Sequence, residues 1–379
     1  MATRPRRIRS ARRRQWRYIG ILVVFVALIG SWSGFWYYAA GKAEVAIEGW
    51  RAREAKAGRV YKCGSQTIGG YPFRIEINCE NASALFRSNQ PPIEIKTSGM
   101  LIAAQIYQPN LLITEFQGPL TIADPGKPPT IVATWKLAQS SVRGTPAAPE
   151  RVSLVFDGPS ADRTNGGTRE NVLHARRIEI HGRIVEGSVT NHPVLEVVTR
   201  LTRVAAPTLH PAASHPLDAD ITAVLRGLDD FSPKPWPVRF REIQAAGGRI
   251  DITQARVLQG ETLATGSGSL SLNANGRLDG QLRVTIAGLE PFLASLNVGQ
   301  TVQASPDMDK VAGALDRLLP GLGGVARQQA TSSNLSLGIG LLGQQTTLEG
   351  KRAVTLPLRF DDGTIFLGPL RIGTTPALF

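Results

Sequence analysis

GSLSLNANGRLDGQLRVTI, residues 268–286, places two β-like runs on either side of an Asn275-Gly276 pair. In the second run Leu282, Val284 and Ile286 share one face and Gln281, Arg283 and Thr285 the other, a period of two that fits a half-buried strand. The Asn-Gly pair supplies a tight hairpin turn between them. Working outward, RIDIT at 249–253 precedes this unit, and strands return at Asn334 to Leu342, Gln345 to Leu348, Val354 to Phe360, Thr364 to Leu367 and Leu370 to Ile372. Nearer the N-terminus, Ile93 to Thr97, Leu101 to Tyr107, Leu111 to Phe116, Leu120 to Ile122, Ile131 to Leu137, Val152 to Phe156 and Arg177 to Val185 are each bounded by Pro, Gly, Asn or Asp. The gaps are too short for crossover helices, so the expected fold is mainly β (α+β): antiparallel meander sheets with a few packed helices. Gly and Pro make up about a sixth of the 379 residues, in keeping with many turns. Helices are expected at Val194 to Val204, Leu217 to Leu228, Leu289 to Leu296 and Met308 to Leu319.

Ahead of the β region, Ile19 to Tyr38 (IGILVVFVALIGSWSGFWYY) holds no charged residue and, as a helix, spans about 30 Å, the thickness of a bilayer core. Trp32, Phe35, Trp36, Tyr37 and Tyr38 crowd one end and Trp16 and Tyr18 mark the other, as aromatic rings do at headgroup level. A cleaved signal peptide would carry a shorter apolar run of about 7–15 residues. Arg13-Arg14 loosely matches a twin-arginine signal, but any arginine-rich tail contains such pairs.

The net charge is +13, yet eight arginines, among them Arg12, Arg13, Arg14 and Arg17, precede residue 18, and without them +5 remains. The charge is thus topogenic and keeps the N-terminus in the cytoplasm; the scattered remainder is not a nucleic-acid footprint. The expected organisation is a basic tail (1–18), a transmembrane anchor (19–38), a helical stalk (39–58), a β-rich subdomain (59–230) and, past the proline-rich Phe231 to Pro237, a second one (238–379).

Cys63 and Cys79 both fall beyond the anchor, where disulfides form. Gly69-Gly70-Tyr71-Pro72 reads as a turn, after which Phe73, Ile75, Ile77 and Cys79 share a face, so a hairpin brings Cys63 opposite Cys79. The spacing lacks the CxxC or neighbouring histidine of a metal or redox site.

Motifs of enzymatic chemistry are missing or out of context. Gly338, Gly340 and Gly343 spell GxGxxG but precede a strand rather than a helix. His192, His210 and His215 adjoin prolines, and His174 and His181 lack zinc-ligand spacing. The expectation is a non-enzymatic protein without cofactor or metal, and a hydrolase using His174 or His181 with nearby acids is the alternative.

Cys63, Gly70-Tyr71-Pro72-Phe73-Arg74, Cys79, Leu356-Pro357-Leu358-Arg359-Phe360, Asp362-Gly363 and Leu367-Gly368-Pro369 resemble an uncharacterised family of alphaproteobacterial envelope proteins, domain of unknown function 2125. That resemblance implies location and fold class and assigns no chemistry. The run GSLSLN, turn, GQLRVTIAGL is also similar to strands of AsmA-like envelope proteins, which have one N-terminal helix and a link to lipid handling. The expected setting is the inner membrane with the C-terminal domain in the periplasm, and the expected partners are that bilayer and a lipid ligand or an envelope protein.

Overall fold

The computed structural model describes residues 9–87, 89, 91–145, 148–209, 211–232, 234–291, 343–368 and 370–379. The chain begins with α1 (Arg9–Lys56), one unbroken helix of 48 residues that contains Arg12, Arg13, Arg14 and Arg17 in its first turns. Its apolar part leaves Ile19 to Ile29 exposed, and it is long and apolar enough to cross a membrane. At 1.5 Å per residue the helix measures about 72 Å, so the span and the stalk are one rod. Gly58, at φ 80, reverses the chain after it.

The first strands are β1 (Arg59–Lys62), β2 (Ser65–Gly69), β3 (Arg74–Phe86), β4 (Ile93–Gln105), β5 (Gln108–Ala123), β6 (Ile131–Thr134) and β7 (Leu137–Thr145). Next come β8 (Ala148–Asp157), β9 (Ser160–Asn165), β10 (Thr168–His174), β11 (Arg177–Ser188), β12 (Asn191–Val204) and β13 (Leu217–Arg226). A short helix α2 (Trp236–Ala245) leads to β14 (Arg249–Gln259), β15 (Thr262–Leu272) and β16 (Leu278–Ala287). The chain closes with β17 (Gln344–Leu348), β18 (Lys351–Asp361), β19 (Thr364–Leu367) and β20 (Leu370–Thr374). All twenty belong to one sheet and every pairing is antiparallel. Most strands pair with the next along the chain or the next but one, so the sheet is largely a meander. Several turns have two residues at positive φ, as at Gly166-Gly167, Glu349-Gly350 and Asp362-Gly363, the geometry whose twist matches paired strands.

β6 with β7, β8 with β9 and β10 with β11 are three long strands, each interrupted at one level: Trp135-Lys136, Gly158-Pro159 and Ala175-Arg176. The level continues through the register shifts at Ser98 and Gly118-Pro119, through Asn81 at φ 49 and through the gap at Cys63-Gly64. Pro119 and Pro159 have no N–H to give to a ladder, and residues skipped by the pairing bend a strand. A crease therefore crosses the first half of the sheet. The Trp135 ring packs over Gly118 there and donates its indole N–H to the Phe116 carbonyl at 2.9 Å.

Cys63 and Cys79 form a disulfide. The residue paired opposite Cys79 is Gln66, and Cys63 reaches it diagonally from the gap between β1 and β2. Two expected helices are strands: Val194 to Val204 is β12, paired with β11 and β13, and Leu217 to Leu228 contains β13, paired with β12 and β14. Backbone pairing on both edges outweighs any helical spacing of their apolar residues. The proline-rich Phe231 to Pro237 leads into α2, which the sequence did not announce, while β13 and β14 pair across it. Of the expected helix Leu289 to Leu296 only the first three residues are described, and Met308 to Leu319, Asn334 to Leu342, Gly338 and Gly340 lie outside the described residues.

The tightest packing is at β15, β16 and β18, where Leu263, Ala287 and Ala353 meet, with Ile286 and Leu356 buried on the opposite face. Leu263→Ala, at a site 2% exposed, is expected to destabilise the full chain by about 2–5 kcal/mol, read as a lower midpoint in urea denaturation. Val152→Ala, at 43% exposure, should shift it by far less.

Candidate functional site

The sheet's register assembles a feature no single strand contains. Ile75 faces Ala104, which faces Leu112, then Val142, Val152 and Gly182, each directly opposite the last on β3, β4, β5, β7, β8 and β11. The row continues through Val197, Ala223, Ile252, Gly268, Leu282 and Leu358 on β12 to β16 and β18. Twelve strands thus contribute one apolar side chain or glycine each to an unbroken lane, and none of the twelve is fully buried. On the opposite face Arg183, Glu196, Val224, Asp251, Ser269 and Gln281 make a mostly polar row. Arg183 pairs with Glu196 there at 2.6 Å, and Ser269 donates to Asp251 at 2.8 Å.

Two hollows open beside the lane. One, of about 320 Å³, lies over Val152, Leu154, Ile180, Ile184 and Val197. The other, of about 390 Å³, is bounded by Leu225, Ile250, Leu270 and Leu272 on the sheet and by Phe240 and Ile243 of α2. Both share Leu195 and Phe231. The larger one has the size and apolar lining of a small-molecule site. Leu378 of the C-terminal segment lines it too, held by its N–H on the Gly276 carbonyl at 2.9 Å.

α2 starts just after Pro235, with Pro237 early in its first turn, where a missing N–H costs nothing. It is held by a charge-balanced network. The Arg239 guanidinium donates to Glu242 at 2.7 Å and to the carbonyls of Asp230, at 2.8 Å, and Ser232. Lys234 bridges Glu242 at 2.7 Å and Asp230 at 3.3 Å. The Ser232 hydroxyl and N–H hold the Asp230 carboxyl well below the usual carboxylate range, with Lys234 adding to the effect. Burial pushes the Glu242 carboxyl up, but hydrogen bonds from Lys234, the Asp229 N–H and Arg239 outweigh it and leave it below its ordinary value. Two cations meet two carboxylates, so the charges of this network balance, and Arg249, which also lines the cavity, pairs with Asp251 at 2.9 Å.

His174 and His181 stand apart from this site. His174 is exposed and its Nδ1 meets Asn171 at 2.9 Å. His181 lies on the polar face, opposite Ser153 and 3.8 Å from Glu179, in an open depression with Arg151, Arg183 and Glu196. Among the described residues, no three His, Cys, Asp or Glu side chains group as metal ligands.

Fold and site together define a class: an antiparallel sheet that carries an apolar lane opposite a mostly polar row, led by a long apolar helix. Over residues 36–376 the chain matches the family described as an uncharacterized protein conserved in bacteria (DUF2125), and it belongs to that family. No curated protein matches the chain.

Because Asp230 and Glu242 titrate below their unfolded values, their contribution to holding α2 is complete above the ordinary carboxylate range and is lost as pH falls through the lowered values. Amide exchange in α2, corrected for intrinsic rates, is expected to stay constant from neutral pH down to about 5 and to accelerate below about 4. Glu242→Gln should speed it already at neutral pH.

Proposed function

We propose that this is a single-pass, non-enzymatic protein of the bacterial inner membrane, with its N-terminus in the cytoplasm and its sheet in the periplasm, and that the apolar lane seats the acyl chains of lipid. The observation that carries the reading is the lane. A row of partly exposed apolar side chains and glycines across twelve strands is far more contiguous than scattered surface apolar residues and supports a binding surface. A long hydrocarbon chain fits it because the row is continuous and without charge, and because the cavity under α2 gives a sheltered place for its end. The neutral network at the cavity mouth supports recognition through the chain rather than through a charged headgroup.

Orientation is supported by eight arginines before the apolar segment against only Lys42 and Arg51 close after it. The disulfide agrees, since it belongs to an oxidising compartment. In chain purified without reductant, Cys63 and Cys79 should resist alkylation, and free thiols would overturn the periplasmic placement. Lipid extracted from the detergent-purified full chain should exceed that from Ile250→Asp, a lane-side substitution at a position already 39% exposed. Equal lipid in both, with the variant's disulfide and circular dichroism unchanged, would sink the lipid reading.

A further inference from the structure

We propose that the β2–β3 turn, Gly70 to Phe73, with the β4–β5 turn at Ile106-Tyr107 beside it, is seated in the headgroup layer of the same bilayer that α1 crosses, so that the sheet is docked on the membrane and not merely tethered to it. The proposal rests on reading α1 as the membrane span and is independent of what the lane binds.

Depth comes first. The Trp32 indole N–H donates to the Pro72 carbonyl at 2.8 Å, the Trp36 indole to the Arg74 carbonyl at 2.8 Å, and the hydroxyls of Ser33 and Tyr71 lie 2.8 Å apart. Trp36 also meets the Tyr71 ring edge-on with centroids 5.7 Å apart, and Trp32 lies 6.4 Å from Phe73. Trp32 and Trp36 are about 20 and 26 Å along the helix from Ile19, inside or at the boundary of a hydrocarbon core of about 30 Å. A turn bonded to these residues cannot stand away from a bilayer that the helix crosses.

The chemistry of the turn is the second, independent observation. Its outward side chains are Tyr71, Phe73 and, from the adjacent turn, Tyr107, at 49%, 62% and 69% exposure. Tyr71 and Tyr107 have the apolar body and polar tip of residues that settle at the membrane–water boundary, and Phe73 adds an apolar ring beside them. Most of its backbone carbonyls have partners. The Gly70 carbonyl accepts from the Arg74 N–H at 3.1 Å, Pro72 and Arg74 accept from the two indoles, and Phe73 accepts from the Ile106 N–H at 3.0 Å. Pro72 has no N–H to satisfy. Four carbonyls between Gly70 and Arg74 are thus paired, which suits a place near the apolar part of a membrane, where an unpaired carbonyl is costly. Arg74, the nearest charge, is paired with Glu76 at 2.7 Å.

The test uses the full chain in nanodiscs of phosphatidylethanolamine and phosphatidylglycerol, with p-benzoylphenylalanine placed singly at Phe25, Phe73, Tyr107 or Arg169. Phe25 lies in the span, and Arg169 follows the β9–β10 turn at the other end of the strands. After irradiation, mass spectrometry should find phospholipid adducts at 25, 73 and 107 and none at 169. Adducts at 25 without adducts at 73 overturn the docking and leave the span standing. Absence of adducts at 25 overturns the reading of the span itself.

Discussion

Everything distinctive in this molecule depends on register. Side chains on a strand alternate between faces, so a slip of one residue would, in most of the twelve strands, put a polar side chain into the lane and an apolar one on the polar face. Register over such a distance is set locally, turn by turn. Where both turn residues sit at positive φ, as at Gly166-Gly167 and Asp362-Gly363, the loop length is fixed at two and the strands leave it with the twist they need. Gly268 and Gly280 act in the same sense within the sheet: a side chain at either would collide with backbone of the neighbouring strand, at Gln281 and Ser269.

A long meander has two ends, and an unpaired strand edge is open to unwanted pairing. At the N-terminal end the stalk half of α1 lies along β1 and β2. Trp50 stacks on Tyr61 at 4.7 Å, Arg51 donates to Gln66 at 2.6 Å, and Glu54 pairs with Arg59 at 2.5 Å. The helix that reads as an anchor therefore also covers an edge, and the disulfide ties the gap between those two strands to β3. At the far end β19 and β20 are short, four and five residues, which limits what can add there.

Much of this was legible in the sequence. The alternation of residues 280–286, the long apolar helix and the cysteine pairing all follow from residue type and spacing. The misassigned β12 and β13 show where such reading fails. Val194, Leu195, Val197, Val198 and Leu201 have helix-like spacing, but Val194, Val197, Val198, Thr199 and Thr202 are β-branched and fit a pleated surface better. In β13 the period of two was present: Leu217, Ala219, Ile221, Ala223 and Leu225 alternate with Asp218, Asp220, Thr222 and Val224. α2 was hidden by its prolines, which signal a break when read alone and a helix start when followed by good spacing. The lane could not be read at all, because it exists only between residues brought together by pairing; Ile75 and Leu358 mean nothing as a pair in the linear chain.

The crease has a mechanical meaning. Its interruptions lie on one side of the lane in every strand they share: Asn81 is beyond Ile75, Ser98 precedes Ala104, and Gly118, Gly158 and Ala175 all fall toward the opposite strand ends from Leu112, Val152 and Gly182. The regular ladder skips residues along that line, where the N–H groups of Lys136, Gly158, Ala175 and Arg176 still donate to neighbouring carbonyls, and it is continuous along the lane. The bend in the first half of the sheet is thus placed beside the lane, where it changes the direction of the strands without breaking the pairing of any lane residue.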